Sequence, residues 1–262
     1  MSSRNTLIAV AVKHNGNWDS ILTDLELKNY PEGEELESLL KTINCEVLTI
    51  LDNEYPPYLK EVYMPPFVLF YRGDISLLNN PIKNIAVVGT RKPTDYAVKA
   101  TKEIVKGIAK DYYVVSGMAN GIDAIAHNEA MNSGGRTIAV LGHGFNYCYP
   151  SENSRIYRKM QKHHLVITEY PPTCPPSQDN FPVRNRIIAQ ISKAVLITEG
   201  GKRSGTFITA NFAVHYNREV MCVPSSNLNE SLCNLLIREG AILIENSDQV
   251  KEIMERFSYY GK

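Results

Sequence analysis

NIAVVGTRKPTDYAVKATKEIVKGIAKDYYVVSG, residues 84–117, decides the fold. It opens on the apolar run IAVVG (85–89) and closes on a second, YYVVSG (112–117). Between them lies a stretch of helical spacing over about 95–110. A strand with one wet face alternates apolar and polar side chains, whereas a run without alternation is buried on both faces. Two such strands joined by a helix form a parallel crossover.

The unit repeats toward the C-terminus. TIAVLG (137–142), HLVITE (164–169), AVLITEGG (194–201), EVMCVP (219–224) and AILIE (241–245) read as further strands. Helices are expected near 121–132, 152–162, 183–192, 205–216, 231–238 and 247–257. Strands and helices in alternation give the α/β class: a doubly wound sheet with helices on both faces. Toward the N-terminus the signals thin. VLTIL (47–51) and FVLFYRG (67–73) read as strands, with the breakers Pro56–Pro57 and Pro65–Pro66 bounding a short segment between them. EGEELESLLKTI (32–43) has helical spacing, while LIAVAV (7–12) fits a strand or half a helix. We therefore expect a short N-terminal segment, 1–45, ahead of a single domain over 46–262.

Composition narrows the function. Lys plus Arg and Asp plus Glu each number 28, so the formal net charge is zero and any polyanion must be held by a local basic patch. The five cysteines are scattered without a metal-binding spacing and read as free thiols in a reducing cytoplasm. No secretory leader and no apolar run of membrane-spanning length is present, so no membrane contact is expected. No cofactor and no metal are expected either.

In a doubly wound sheet ligands collect at the carboxyl ends of the strands. Four strands here end in small-residue turns: GTR (89–91), SGMANG (116–121), GHG (142–144) and EGGKRSGT (199–206). Each glycine either closes the turn or lets backbone N–H groups approach an anion at the following helix. Four such turns on one edge, with Arg91 in one and Lys202 and Arg203 in another, point to a groove for phosphates. Gly89, Thr90, Gly117, Asn120, Gly121, Ser204, Gly205 and Thr206 are its candidate backbone. The dinucleotide fingerprint fails at GTRKPT, and GGKRSG is no phosphate-binding loop of the GxxxxGK[ST] kind, so NAD and ATP are disfavoured. Asp123 and His127, four apart on a helix, have no third partner for catalysis; the simpler reading is a helix-dipole carboxylate and a packed histidine.

FPVRNRIIAQIS (181–192) supplies the remaining cations, Arg184 and Arg186. Side chains two apart on a helix diverge by about 200°. One guanidinium is expected to face the groove and the other to tie down a neighbouring loop, through Glu169 or Glu199. Phe181 either stacks on a base or staples the helix start.

Taken in order and spacing, GTRKPTDY (89–96), VVSGMANGIDAIAH (114–127), TIAVLGHGFNYCYPSEN (137–153), ITEYPP (167–172), FPVRNRIIAQIS and ITEGGKRSGTFITANFA (197–213) resemble the DNA-processing protein A family, also called DprA or Smf, over about residues 46–246. The resemblance implies an extended Rossmann-like, mostly parallel fold. It also implies a cytoplasmic, non-enzymatic protein that binds and protects single-stranded DNA, dimerises, and loads the recombinase RecA in natural transformation. By motif position it implies that Arg91 is the DNA-binding arginine, Phe181 the aromatic contact, and Gly89 and Thr90 part of the phosphate cradle. Ile237 and Leu243 match a self-association patch; Leu236 and Ile242 lie beside them in NLLIREGAILI (234–244), where two apolar runs bracket a polar turn. The sequence departs from the family at Ser151 and Gln178, where basic residues are usual, and at Ser225 and Leu232, where glycines are. Two lost charges should weaken DNA binding and flatten its salt dependence; Arg155, Arg158 and Lys159 are placed to compensate. The family's N-terminal helical module is expected to be shortened, and its optional C-terminal winged helix is not expected. The competing reading is a nucleotide-ligand sensor or hydrolase related to the lysine-decarboxylase-like fold, whose Gly-rich turn is loosely echoed by Glu199, Gly200, Gly201, Gly205 and Thr206. A scaffold serving protein contacts alone is a third.

Overall fold

The computed structural model describes residues 2–227 and 231–256. Its strands are β1 (Glu46–Thr49), β2 (Val68–Gly73), β3 (Asn84–Val88), β4 (Tyr113–Ser116), β5 (Thr137–Val140), β6 (Leu165–Thr168), β7 (Ala194–Ile197), β8 (Glu219–Cys222) and β9 (Ile242–Leu243). They form one sheet in the order β1-β2-β6-β5-β4-β3-β7-β8-β9. From β6 to β9 every pair is parallel, while β1–β2 and β2–β6 are antiparallel. The expected doubly wound, mostly parallel sheet is therefore what the chain forms. The chain runs outward from β3 to β6, then returns to β3's other side with β7. The crevice between β3 and β7 is the switch point, where loops on either side diverge and leave room for a ligand.

The crossovers are α5 (Asp95–Ile108), α6 (Ile122–Asn132), α7 (Ser154–His163), α8 (Asn180–Gln190), α9 (Gly205–His215), α10 (Leu232–Arg238) and α11 (Ser247–Arg256); the last helix was expected to reach residue 257, which lies outside the described residues. Period-2 geometry sends the residues of β3 to opposite faces. Ile85 and Val87 pack with α5, α6 and α11, whereas Ala86 and Val88 pack with α8, α9 and α10. Both faces are dry, which is why the strand sequences do not alternate.

The N-terminal third holds what the sequence left open. LIAVAV is helical, within α1 (Ser3–Lys13), and α2 (Trp18–Leu27) and α3 (Gly33–Lys41) follow. The segment between the proline pairs holds one turn of helix, α4 (Pro57–Lys60). Residues Leu7 to Val12 are all buried. Leu7, Ile8, Val10 and Val12 share a cluster with Phe70 of β2, Val166 of β6 and Met160 of α7, so α1 is packed into the same body as the sheet. Gly16 turns the chain after α1 with φ +75°, and a Cβ there would lie 2.5 Å from the carbonyl oxygen of Glu169. The α1–α2 turn thereby closes over the loop that follows β6.

Candidate nucleic-acid interface

Five loops at the carboxyl edge enclose a groove of about 910 Å³. From the β3 loop come Gly89, Thr90, Arg91 and Lys92; from the β7 loop and α9 come Arg203, Ser204, Gly205 and Thr206. Phe181 and Arg184 of α8, with Tyr149 from the loop after β5, form the wall between them. Gly117 and Asn120 line a small adjoining recess that shares Arg91, Tyr149, Phe181 and Arg184.

The centre of this surface is Phe181. Pro182 follows it in the first turn of α8, where a missing N–H costs nothing. The ring of Tyr149 stacks on Phe181 at 5.5 Å and 18°. The Arg91 guanidinium lies 5.9 Å from the Phe181 centroid and that of Arg184 lies 6.0 Å from it. Two cations thus sit against one aromatic wall, each within reach of its negative face. Arg91 is exposed and forms no ion pair among the described residues.

Its loop is held by backbone. Thr90 N donates to the Glu199 carbonyl at 2.8 Å, Thr94 N donates to the Glu199 carboxylate (Oε2) at 2.8 Å, and Ile122 N donates to Thr90 O at 3.1 Å. Gly121, at φ +76°, lets this last strap close: a Cβ there would stand 2.3 Å from Thr90 O. The glycine turns were expected either to serve turn geometry alone or to bring backbone toward a ligand. Two of them make room for the site's own side chains, and Gly89, Gly121 and Gly144 press against neighbouring backbone. A Cβ on Gly117 would lie 2.6 Å from the Arg184 guanidinium, and one on Gly142 would lie 2.7 Å from the Phe181 ring. The exception is the β7 loop, where Gly201 faces open space and Gly205 has only the Asn185 amide, at 3.8 Å. Ser204 Oγ donates to Gly201 O at 2.7 Å instead of capping α9, so the first turn of that helix keeps its preference for an anion.

The two arginines of FPVRNR part as their spacing requires. Arg184 Nη1 donates to Gly117 O at 2.5 Å and also to Val140 O, at the carboxyl ends of β4 and β5. Burial pulls the Arg184 pKa down to about 10 against the attraction of Asp123. Asp123 accepts from the N–H groups of Gly117 and Ala119 at 3.1 and 3.3 Å; burial pushes its carboxyl pKa up in spite of Arg184 and those bonds. Arg184 is therefore a cation fixed in the groove floor. Arg186 is not a groove residue: its side chain is 1% exposed and makes two parallel 2.6 Å bonds to the Glu169 carboxylate. Burial opposes that charge, but Glu169 outweighs it and raises the Arg186 pKa. Glu169, of the two glutamates the sequence offered, is the brace.

Lys202 does not line the groove, although its neighbour Arg203 does. Among the apolar patch residues, Leu236 is 8% exposed and belongs to the core, because α10 packs against the sheet; Ile242 is half-buried on the other face. Leu243, 43% exposed at the sheet edge, and the half-buried Ile237 remain available. Tyr149, Lys92, Ala119, Asn185 and Phe207 are among the groove residues the sequence reading missed. An aromatic in the polar loop after a glycine turn was the available signal for Tyr149.

His127 is packed inside the fold, 0% exposed. Its Nδ1 lies 2.6 Å from Thr137 Oγ1, while Nε2 is buried without a partner among the described residues. Burial lowers its pKa to about 3 from 6.5, and burial likewise lowers that of His164 to about 4. A histidine held neutral in the fold but protonated when unfolded contributes stability that is complete above pH 6.5 and lost as pH falls toward its folded value. His127 alone should therefore cost about 2 kcal/mol between pH 6.5 and pH 5. Urea unfolding at the two pH values measures it; equal stabilities would show that neither imidazole is held neutral.

Among the described residues no helix is long and apolar enough to cross a membrane. Comparison with known proteins finds the family model described as DNA recombination-mediator protein A matching residues 46–257. The chain is 37% identical over 235 residues to DNA processing protein DprA of Bacillus subtilis, covering 88% of this chain and 79% of that protein. It is 40% identical over 204 residues to DprA of Streptococcus pneumoniae, covering 77% and 72%. The solved structure of the S. pneumoniae protein superposes with a TM-score of 0.80 over 95% of this chain and 92% of that one, at 34% identity. That of DNA processing protein A from Helicobacter pylori, which reveals a single-stranded DNA binding mode, gives 0.73 over 81% and 97%, at 28% identity.

Proposed function

Because this chain belongs to the DNA recombination-mediator protein A family, we propose that it binds single-stranded DNA in the groove at the β3–β7 crevice, with Arg91 facing a phosphate, Arg184 supplying fixed positive charge from the floor, and the Phe181–Tyr149 pair offering its aromatic surface to bases. The observation that carries this reading is the convergence of two guanidinium groups on one stacked aromatic pair. A duplex hides its base faces, whereas an unpaired strand presents both charge and π-surface, each stacked base contributing about 1–3 kcal/mol. Arg203 and the α9 N-terminus would receive the next phosphate along the groove.

The protein acts by binding, without turnover. The two carboxylates nearest the groove are occupied as braces, Glu199 by Thr94 N–H and Asp123 by two backbone N–H groups. In the cell the bound strand would be shielded and handed to the recombinase RecA in the cytoplasm during natural transformation. Self-association would use the sheet edge around Leu243 and Ile237.

Fluorescence anisotropy of labelled oligo-dT against a duplex of equal length tests the reading. Single-strand preference is expected, with no competition from a mononucleotide at comparable concentration. Equal affinity for the duplex, or mononucleotide binding without oligonucleotide binding, would replace this reading with a nucleotide pocket.

A further inference from the structure

Tyr149 lines the groove and is 45% exposed, and the chain shortly after it carries a row of cations that are absent from the groove lining. Residues 151–153 form a single 3₁₀ turn, and α7 begins at Ser154. Asn153 ties this start to the groove: its Nδ2 donates to Met118 O at 2.9 Å and to Ala119 O at 3.2 Å, and Ala119 lines the groove. From there α7 leads from the carboxyl edge of the sheet to the start of β6.

Its faces are sharply divided. Tyr157 and Met160 are buried in the core, while Arg155, Arg158, Lys159 and Lys162 are all exposed. Spaced i, i+3, i+4 and i+7, these four share one helix face, about 10 Å long. The helix contains no acidic residue, and none of the four has a carboxylate partner among the described residues. At its far end the row opens on a second cavity of about 700 Å³, where Arg158, Lys159 and Lys162 are joined by Arg72 and the one acid is Glu46. Arg72 is fixed there by bonds to Gln161 Oε1 at 2.8 Å and Asn44 Oδ1 at 3.1 Å. On a chain with no net charge, four cations in a row with no carboxylate partner among the described residues are a built feature. A solvated helix face would intersperse both signs.

We propose that the single strand leaves the groove past Tyr149 and continues along the exposed face of α7 toward Arg72, its phosphates held by Arg155, Arg158, Lys159 and Lys162. The inference rests on the groove reading and extends it: the groove sets where bases stack, and α7 sets how long a strand the protein engages. Exposed cations on long stems that contact phosphates follow a backbone without reading sequence, which suits an exit path.

The test compares two strand lengths, since a groove alone accommodates a handful of nucleotides. Anisotropy titrations with labelled oligo-dT of about 6 and about 20 nucleotides are run on the full chain and on the Arg155→Gln/Arg158→Gln/Lys162→Gln variant. All three side chains are exposed, so the variant should melt like the parent. The longer strand should bind roughly 10- to 100-fold more weakly near 0.1 M salt, with the salt slope smaller by about 2; the shorter one should change less than about twofold. A control variant, Lys99→Gln/Lys102→Gln/Lys106→Gln on α5, removes the same charge elsewhere and should spare both lengths. Unchanged long-strand affinity, equal weakening at both lengths, or an equal effect of the control would each overturn the α7 path. A parent chain that fails to bind the short strand at all would instead overturn the groove reading, and this one with it.

Discussion

Arg186→Ala should destabilise the protein by about 3–5 kcal/mol, a fall in Tm of roughly 6–20 °C for a chain of this size. The cause is what the truncation leaves behind. Glu169 is 5% exposed on its side chain and spends both oxygens on Arg186. Without the guanidinium, a carboxylate is buried with no counter-charge, which costs far more than the ion pair was worth relative to apolar packing. The double variant Glu169→Leu/Arg186→Met should accordingly recover most of the loss. Differential scanning calorimetry on the three proteins decides it. If the single variant melts within a degree or two of the parent, the buried pair is not a brace and the division of labour within FPVRNR is wrong.

That division shows how far the sequence could be read. The i, i+2 spacing of Arg184 and Arg186 requires that they point apart, and they do. It does not say which carboxylate takes which guanidinium. Glu199 and Glu169 both end strands, and only the fold shows that Glu199 is drawn to the Thr90–Thr94 loop, leaving Glu169 to Arg186. The parallel strands were legible because burial on both faces leaves an unmistakable apolar run. β2 was legible as a strand but not as the antiparallel neighbour of β6, since a run such as VLFY looks the same whichever edge it joins. α1 was ambiguous because Leu7–Val12 is apolar all round, and a buried helix then carries no periodicity. The sequence left open whether each turn glycine serves the chain's geometry or a ligand's approach. Spacing cannot reveal that Gly117 and Gly142 yield to Arg184 and Phe181, side chains more than 35 residues away.

Arg91→Ala is the substitution with the largest expected effect on function. Arg91 is exposed, unpaired among the described residues, and positioned over Phe181 by a loop whose backbone is anchored at Thr90 and Thr94. Its side chain makes no hydrogen bond among those described, so its removal should leave stability within about 0.5 kcal/mol of the parent. It would, however, take away a charge-assisted phosphate contact and half of the cationic frame around the aromatic pair. A loss of about 2–3 kcal/mol of binding follows, roughly 30- to 150-fold, with the salt slope falling by about 0.7. Arg91→Lys should recover only part of it, since an ammonium keeps the charge and loses the planar fork.

The most direct test of the central claim is therefore an anisotropy titration of a short labelled oligo-dT with the parent chain and with Arg91→Ala, each checked by thermal melting. Two proteins of equal stability are expected, one binding the single strand and the other weaker by at least about 30-fold. Equal affinities from two equally folded proteins would contradict that claim, and would place the phosphate path outside the β3–β7 crevice.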